Sequence, residues 1–127
     1  MTNFTKIAIA GVGTVGQGLI DLILKDNGRN KKKFNIEISA IASRKHLKIS
    51  NQKIKNTKIF KDALSLLDFN DYDILIELIG GEEGVSKKII FDALKKKKNV
   101  VTANKALVSK HWKKLKILCN KYGSKLK

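Results

Sequence analysis

Three glycines between Lys6 and Leu24 recur at a spacing suited to contact with phosphate. Gly11, Gly13 and Gly16 form the pattern G-x-G-x-x-G. Gly11 permits a sharp turn, Gly13 lacks the Cβ that would block a pyrophosphate, and Gly16 allows a helix to pack closely on a strand. An apolar run precedes the pattern and apolar residues follow it at helical spacing, which predicts a strand and then a helix. The free N–H groups of that helix N-terminus predict a dinucleotide site, although the same pattern also occurs in strand-to-helix turns that bind no ligand.

The end of the second predicted strand decides which dinucleotide suits the site. In an NAD-specific site an acidic residue at this position binds the ribose 2′-hydroxyl. This sequence has Ala42, Ser43, Arg44 and Lys45 there, and no acid. The cations of Arg44 and Lys45 match a 2′-phosphate in charge and hydrogen bonding, which predicts NADP in preference to NAD. The alternative is that both belong to a basic loop in a lysine-rich protein, and NAD then remains possible.

The fourth predicted strand ends in the sequence ELIGG. Ligands of open α/β sheets bind beyond the carboxyl ends of the strands. We therefore expect the backbone of Ile79 and Gly80 to run beside the adenosine or nicotinamide half of the dinucleotide. Glu77 is unusual because an unpaired acid is costly to bury in an apolar strand. It is expected either to face the cleft or to pair with a lysine on a helix.

The fifth predicted strand runs into Asn104 and Lys105, which brings both to the same edge of the sheet. Both are candidate cofactor contacts, near the place where nicotinamide and substrate meet. The Lys105 ammonium would bind a carbonyl or carboxylate oxygen there, or stabilise an alkoxide during hydride transfer. Proton transfer by Lys105 would require a lowered pKa. From the residues alone, a catalytic Lys105 and a surface lysine are equally supported.

Strands that alternate with helices predict a parallel sheet with right-handed crossovers. The expected fold is α/β, a Rossmann-type doubly wound sheet of five to six strands in a single domain over residues 1–127. Strands are predicted at residues 7–10, 34–42, 58–60, 74–79 and 99–102, with helices that end near residue 27 and that span 63–67, 85–97, 104–109 and 112–122. Residues 124–127 resemble the start of another strand. The domain is therefore expected to be incomplete at its C-terminal end, without a substrate or dimerisation domain.

The net charge of +16 suggests nucleic-acid binding, but all except two of the 27 basic residues are lysine. Arginine, which binds bases and phosphates in a bidentate manner, is nearly absent, so no specific nucleic-acid partner is expected. No apolar run is long enough to span a membrane, so no membrane association is expected. The single cysteine, Cys119, is expected to be a packing residue and suits a reducing cytoplasm. His46 and His111 are predicted to be surface residues, residues 95–98 a solvated turn, and no metal site is predicted.

Four stretches, taken in order, resemble one enzyme family: GVGTVGQG, SRK after the second strand, ELIGG, and VVTANKALVSKH. They are similar to the N-terminal, NAD(P)-binding half of homoserine dehydrogenase, and the resemblance covers nearly the whole chain. Members of that family interconvert homoserine and aspartate 4-semialdehyde with NAD(P), on the route to threonine and methionine. The stretch from Thr102 to Leu107, TANKAL, is the specific part of the resemblance, whereas the glycine pattern is generic.

The resemblance implies that Gly13, Thr14 and Val15 contact the cofactor, and that the basic pair after the second strand lies near the ribose 2′ group. It also implies that Lys105 is a catalytic residue at the junction of nicotinamide and substrate. The family keeps a second lysine, acidic substrate ligands, a monovalent-cation site and a dimerising region beyond the matched part. This chain alone is therefore expected to bind cofactor without turnover, and to form homo-oligomers only as a full-length protein. The alternatives are a stand-alone nucleotide-binding module and another amino-acid-pathway dehydrogenase.

Overall fold

The structure, a computed structural model, describes residues 4–44 and 56–127. Those residues form five strands: β1 (Thr5–Ala10), β2 (Ile36–Ala42), β3 (Lys58–Phe60), β4 (Ile74–Glu77) and β5 (Asn99–Thr102). The strands make one all-parallel sheet in the order β3-β2-β1-β4-β5. The predicted doubly wound α/β architecture is confirmed.

Helices connect the strands and cover both faces of the sheet. They are α1 (Thr14–Asn27), a 3₁₀ helix (Ala63–Asp68), α2 (Val85–Lys95), α3 (Lys105–Lys110) and α4 (Trp112–Tyr122). None of the helices in the described ranges is long and apolar enough to cross a membrane.

The central strand β1 shows why both faces are covered. Ile7 and Ile9 pack on one face with Ile20 and Ile23 of α1. Ala8 belongs to the core on the other face, which α2, α4 and the 3₁₀ helix complete. Because successive side chains of a strand point to opposite faces, a wholly apolar strand is buried on both.

The chain after α4 returns to the outer edge of β5. Leu126 forms a parallel bridge with Val100. The N–H of Val100 donates to the carbonyl oxygen of Lys125, and the N–H of Lys127 donates to that of Val100, each at 2.9 Å. These residues pair in parallel with β5 but form an isolated bridge, so the start of another strand stays a prediction.

The predicted limits of β2 and α2 extend beyond the observed elements. The strand β2 begins at Ile36 rather than Phe34, because the N–H of Phe34 donates to the carboxylate of Asp26 at 3.0 Å. The helix α2 ends at Lys95, since Lys97 has a φ of 65° and so lies outside the helical region. In both cases the conformation or hydrogen bonding of the nearby backbone sets the limit of the element.

The lysine run after α2 is only partly solvated. Nζ of Lys96 lies 2.7 Å from the carbonyl oxygen of Leu67 and 2.6 Å from the carboxylate of Asp92. The ammonium thus satisfies a carbonyl at the end of the 3₁₀ helix, where intrahelical partners run out. The prediction of a solvated turn is wrong for Lys96, whose side chain is only 21% exposed.

Cys119 on α4 packs against the larger of the two core clusters, as predicted. Its partial burial raises the pKa of the thiol. A raised pKa leaves less thiolate, the reactive form, at neutral pH.

Candidate dinucleotide-binding site

The order in which successive strands are added to the sheet reverses between β1 and β4. From β1 the chain adds β2 and β3 on one side, and then crosses to add β4 and β5 on the other. Ligands of open α/β sheets bind in the crevice beyond the strands at such a reversal. The glycine turn after β1 and the first residues of α1 lie at this crevice.

Two of the three glycines in the turn are required by close backbone packing. Gly11 has a φ of +93°, and a Cβ there would lie 2.9 Å from the carbonyl carbon of Leu78. A Cβ on Gly16 would lie 2.7 Å from the oxygen of Gly11. The predicted roles of Gly11 in the sharp turn and of Gly16 in close helix packing are therefore supported by the geometry.

The third glycine leaves the start of α1 open. A Cβ on Gly13 would meet no atom within 4 Å, so nothing inside the described protein excludes a side chain there. Gly13 occupies the N-cap position without a side-chain cap, and the first turn contains no acidic residue. Thr14 and Val15 are exposed, Val15 by 70%. The N–H groups of this turn, which have no intrahelical partner, are available to an anion.

A cavity of about 360 Å³ runs from this turn toward the ends of β2 and β3. Gly13, Arg44, Ile79, Lys61 and Asp62 are among the residues that line it. Lys61 was not predicted as a site residue, although it follows β3, whose carboxyl end lies beside that of β2. The predicted contact Lys45 lies outside the described residues, as does His46.

Glu77 ends β4 and is fully buried. Its Oε2 accepts hydrogen bonds from the N–H groups of Ile79 at 3.0 Å and Gly80 at 2.9 Å. Its Oε1 accepts from the hydroxyl of Thr102 on β5. Both expectations for Glu77 are therefore wrong, because the buried carboxylate does not face the cleft and its partners in the described ranges are N–H and O–H groups. By binding these N–H groups the carboxylate also ends β4 earlier than the predicted Ile79.

Asn104 is 8% exposed and uses its side chain within the protein. Its amide nitrogen donates to the oxygen of Gly81, and its Oδ1 accepts from the N–H of Leu107 at 3.1 Å, which caps α3. Lys105 is the first residue of α3 and is exposed. Asn104 thus fixes the start of the helix from which Lys105 projects.

Lys105 and the glycine turn line different cavities of the described structure. Asn104, Lys105, Trp112 and Lys127 border a cavity of about 590 Å³ beside the end of β5. Within residues 4–44 and 56–127, this cavity shares no lining residue with the one at the glycine turn. Both cavities lie at the carboxyl edge of the sheet, as predicted, and they are separate among the residues that the structure describes.

His111, predicted to be a surface residue, is buried between α3 and α4. Its Nε2 lies 3.1 Å from the carbonyl oxygen of Glu82 and 3.0 Å from the carboxylate of Glu83. Hydrogen bonds donated mainly by Lys110, and also by Lys87, lower the pKa of the Glu83 carboxyl to about 2. These contacts hold the glycine-rich loop after β4 against the helices that follow β5.

This chain is a dinucleotide-binding α/β domain. The feature that defines this class is a helix with an open N-terminus at the point where the strand order of a parallel sheet reverses. Residues 11–127 match the family model described as homoserine dehydrogenase, NAD binding domain. The chain belongs to that family, as the resemblance predicted.

Curated relatives show the same family along most of this chain. Homoserine dehydrogenase of Synechocystis sp. is 30% identical over 118 residues, which are 93% of this chain and 27% of that enzyme. The enzyme of Corynebacterium glutamicum is 35% identical over 107 residues, which are 83% of this chain and 24% of its own length. The chain therefore spans about a quarter of the length of these relatives.

Solved structures show the same fold. S. aureus homoserine dehydrogenase at pH 7.0 has a TM-score of 0.77 and 32% identity, and the match covers 100% of this chain and 33% of that one. A hyperthermophilic archaeal homoserine dehydrogenase in complex with NADPH has a TM-score of 0.73 over 98% of this chain and 43% of its own. At 18% identity the archaeal protein shows the shared fold alone.

Proposed function

We propose that this chain binds NADP(H) as the dinucleotide-binding part of a homoserine dehydrogenase. The observation that carries the proposal is the start of α1, where Gly11 and Gly16 are held in contact while Gly13 stays open to the cleft. The family, whose model is described as an NAD-binding domain, supports the class of cofactor.

The proposed orientation of the cofactor follows from the order of the strands. The pyrophosphate lies against the N–H groups of residues 13–15, where the dipole of α1 favours negative charge. The adenosine half extends toward β2, and the nicotinamide half then extends to the other side, toward β4 and β5. Residues 79–80 and 104–105 follow the strands on that side and are the proposed contacts of the nicotinamide half.

The preference for NADP is supported by two cations at the adenosine end. Arg44 and Lys61 both line the cavity there and are both exposed to it. A 2′-phosphate would accept charge-assisted hydrogen bonds from either, whereas a 2′-hydroxyl gains much less. Asp62 lies nearby, but its carboxylate accepts from the N–H of Leu64 at 2.9 Å and caps the 3₁₀ helix.

For the whole protein we propose the interconversion of homoserine and aspartate 4-semialdehyde, in which the bound nicotinamide supplies or accepts the hydride. Lys105 binds the substrate oxygen and stabilises the alkoxide. Hydride transfer needs reacting atoms held within about 3–3.5 Å and shielded from water. Because this chain spans about a quarter of its relatives, we expect it to bind cofactor without turnover.

The remaining partners follow from the same proposal. The substrate is a small molecule, and the excess of lysine serves solvation rather than specific binding of nucleic acid. A cytoplasmic location suits the single thiol, and homo-oligomers are proposed only for the full-length protein.

Titration of the chain with NADPH, NADH and duplex DNA at moderate salt tests the proposal. NADPH should bind saturably and more tightly than NADH, while DNA binding should be weak and fall steeply with salt. Saturable DNA binding without NADPH binding would contradict the proposed function.

A further inference from the structure

A buried carboxylate joins the two strand ends on the proposed nicotinamide side. Glu77 on β4 is 0% exposed, and such a charge is stable only when its oxygens are hydrogen-bonded. Its Oε2 accepts from two consecutive N–H groups of the following turn, and the hydroxyl of Ser86 lies 3.0 Å away. Its Oε1 accepts from Thr102 at the end of β5.

The turn held by Glu77 has a backbone conformation that favours glycine. Gly80 and Gly81 both have positive φ values, 92° and 90°. Ser86 Oγ, at the start of α2, also lies 2.6 Å from the carbonyl oxygen of Gly80. The carboxylate and the hydroxyl therefore hold the turn from its buried side, while its other side stays exposed.

From Thr102 the same set of hydrogen bonds reaches the start of α3. The hydroxyl of Thr102 accepts the N–H of Asn104 at 3.0 Å. Asn104 in turn donates to the oxygen of Gly81 and caps α3, whose first residue is Lys105. A continuous chain of hydrogen bonds thus connects the turn after β4 with the start of α3, the helix whose first residue is Lys105.

We propose that Glu77 is a positioning residue, which holds the turn of residues 79–81 and the segment of residues 102–105 in fixed relation to each other. The inference rests on the proposed function, because these two segments form the nicotinamide end of the cleft only if a dinucleotide binds there. Glu77 acts through its neighbours and does not touch the cofactor. It should therefore affect the nicotinamide half and leave the adenosine half unaffected.

Glu77→Gln tests this role, because the amide keeps an oxygen for the turn but presents an NH₂ group to Thr102 in place of an acceptor. Calorimetric titration should use NADPH and adenosine 2′,5′-bisphosphate, which is the adenosine half alone. We expect Kd for NADPH to rise roughly tenfold, the cost of a lost charge-assisted hydrogen bond, and Kd for the bisphosphate to change less than about twofold.

Asp26→Asn is the matched control. Asp26 is another buried carboxylate, 3% exposed, which accepts the N–H groups of Lys33 at 2.9 Å and Phe34 at 3.0 Å before β2, at the opposite edge of the sheet. Its substitution should lower the free energy of unfolding without changing the ratio of the two dissociation constants. If Glu77→Gln does not fold, Thr102→Val carries the same test, because it removes the link to β5 and keeps the carboxylate.

The outcomes separate this inference from the proposed function. A parent chain that binds neither ligand contradicts the function, and the inference with it. A parent that binds both ligands, with a Glu77→Gln variant that binds both equally well or loses both in equal proportion, overturns the positioning role alone. A selective loss of NADPH affinity in that variant, absent from Asp26→Asn, supports it.

Discussion

A Cβ atom on Gly16 would lie 2.7 Å from the carbonyl oxygen of Gly11, so α1 packs on the turn at a distance that only glycine allows. That oxygen belongs to the backbone and cannot rotate away as a flexible side chain can. Gly18, on the same helix, has no neighbouring atom within 4 Å of a Cβ built on it. A comparison of substitutions at Gly16 and Gly18 therefore separates the effect of packing from that of helix propensity.

Gly16→Ala should destabilise the chain by about 1–3 kcal/mol, because α1 must move away from the turn. Gly18→Ala should instead stabilise it by about 0.5–1 kcal/mol, the usual gain of alanine over glycine within a helix. Urea unfolding followed by circular dichroism measures both free energies. The same effect from both substitutions would show that the contact between α1 and the turn is not tight.

Arg44→Ala and Lys61→Ala should each weaken the binding of NADPH more than that of NADH, because only NADPH carries a 2′-phosphate. Charge-assisted hydrogen bonds are worth roughly 1.5–3 kcal/mol, so the ratio of the two affinities should change about tenfold or more. Fluorescence titration with each cofactor gives this ratio. Lys113→Ala, an exposed position on α4, is the control for net charge. If the ratio of the NADPH and NADH affinities stays constant in all variants, the two cations act by general electrostatic attraction and not by contact with the 2′-phosphate.

Lys105→Ala should abolish most of the activity of a hybrid enzyme in which this chain replaces the matching part of a homoserine dehydrogenase. Loss of a group that stabilises a developing alkoxide costs about 100-fold or more in kcat. Lys113→Ala in the same hybrid should keep full activity. Steady-state rates of homoserine oxidation provide the measurement, and a fully active Lys105→Ala hybrid would return Lys105 to the status of a surface lysine.

The contribution of Glu83 to stability should depend on pH. Hydrogen bonds from Lys110 and Lys87 lower the pKa of its carboxyl from 4.5 to about 2. A group with a lowered folded-state pKa stabilises the fold fully above its ordinary pKa, and loses that contribution as the pH falls toward the lowered value. The free-energy difference between parent and Glu83→Gln should therefore be largest near neutral pH and shrink below pH 4.5.

Urea unfolding at a series of pH values measures that difference. The effect should be small, because the Glu83 side chain is 48% exposed and solvent screens its ion pairs. Glu82→Gln is the matched control, because the ion pair that the structure describes for the Glu82 carboxylate is a longer contact with Lys110, at 3.5 Å. A difference for Glu83→Gln that does not vary with pH would contradict the assignment.

The parts of the fold that depend on neighbouring residues in sequence were predictable. The spacing of Gly11, Gly13 and Gly16 specifies a turn by local sterics, and the limits of β5 and α4 follow from hydrophobic periodicity and from Gly123, whose φ of 73° ends the helix. These signals lie within one or two turns of chain. They therefore remain visible without knowledge of the tertiary structure.

The side chains whose surroundings were predicted wrongly depend on residues distant in sequence. Glu77 is stabilised by Thr102, and His111 is buried against the loop of Glu82. Lys61 lines the cleft because the sheet places β3 beside β2, which its own short strand does not indicate. Such partners become neighbours only after folding, so the local pattern does not reveal them.

Gly13→Val tests whether the open start of α1 binds the pyrophosphate of NADP(H). A Cβ on Gly13 would meet no atom of the described residues within 4 Å, so the variant should fold, at the modest cost of valine at an N-cap position. Its side chain would occupy the space into which the pyrophosphate must come, so fluorescence titration should show that NADPH binding is lost. A Gly13→Val chain that binds NADPH as tightly as the parent would show that the pyrophosphate does not bind at this turn.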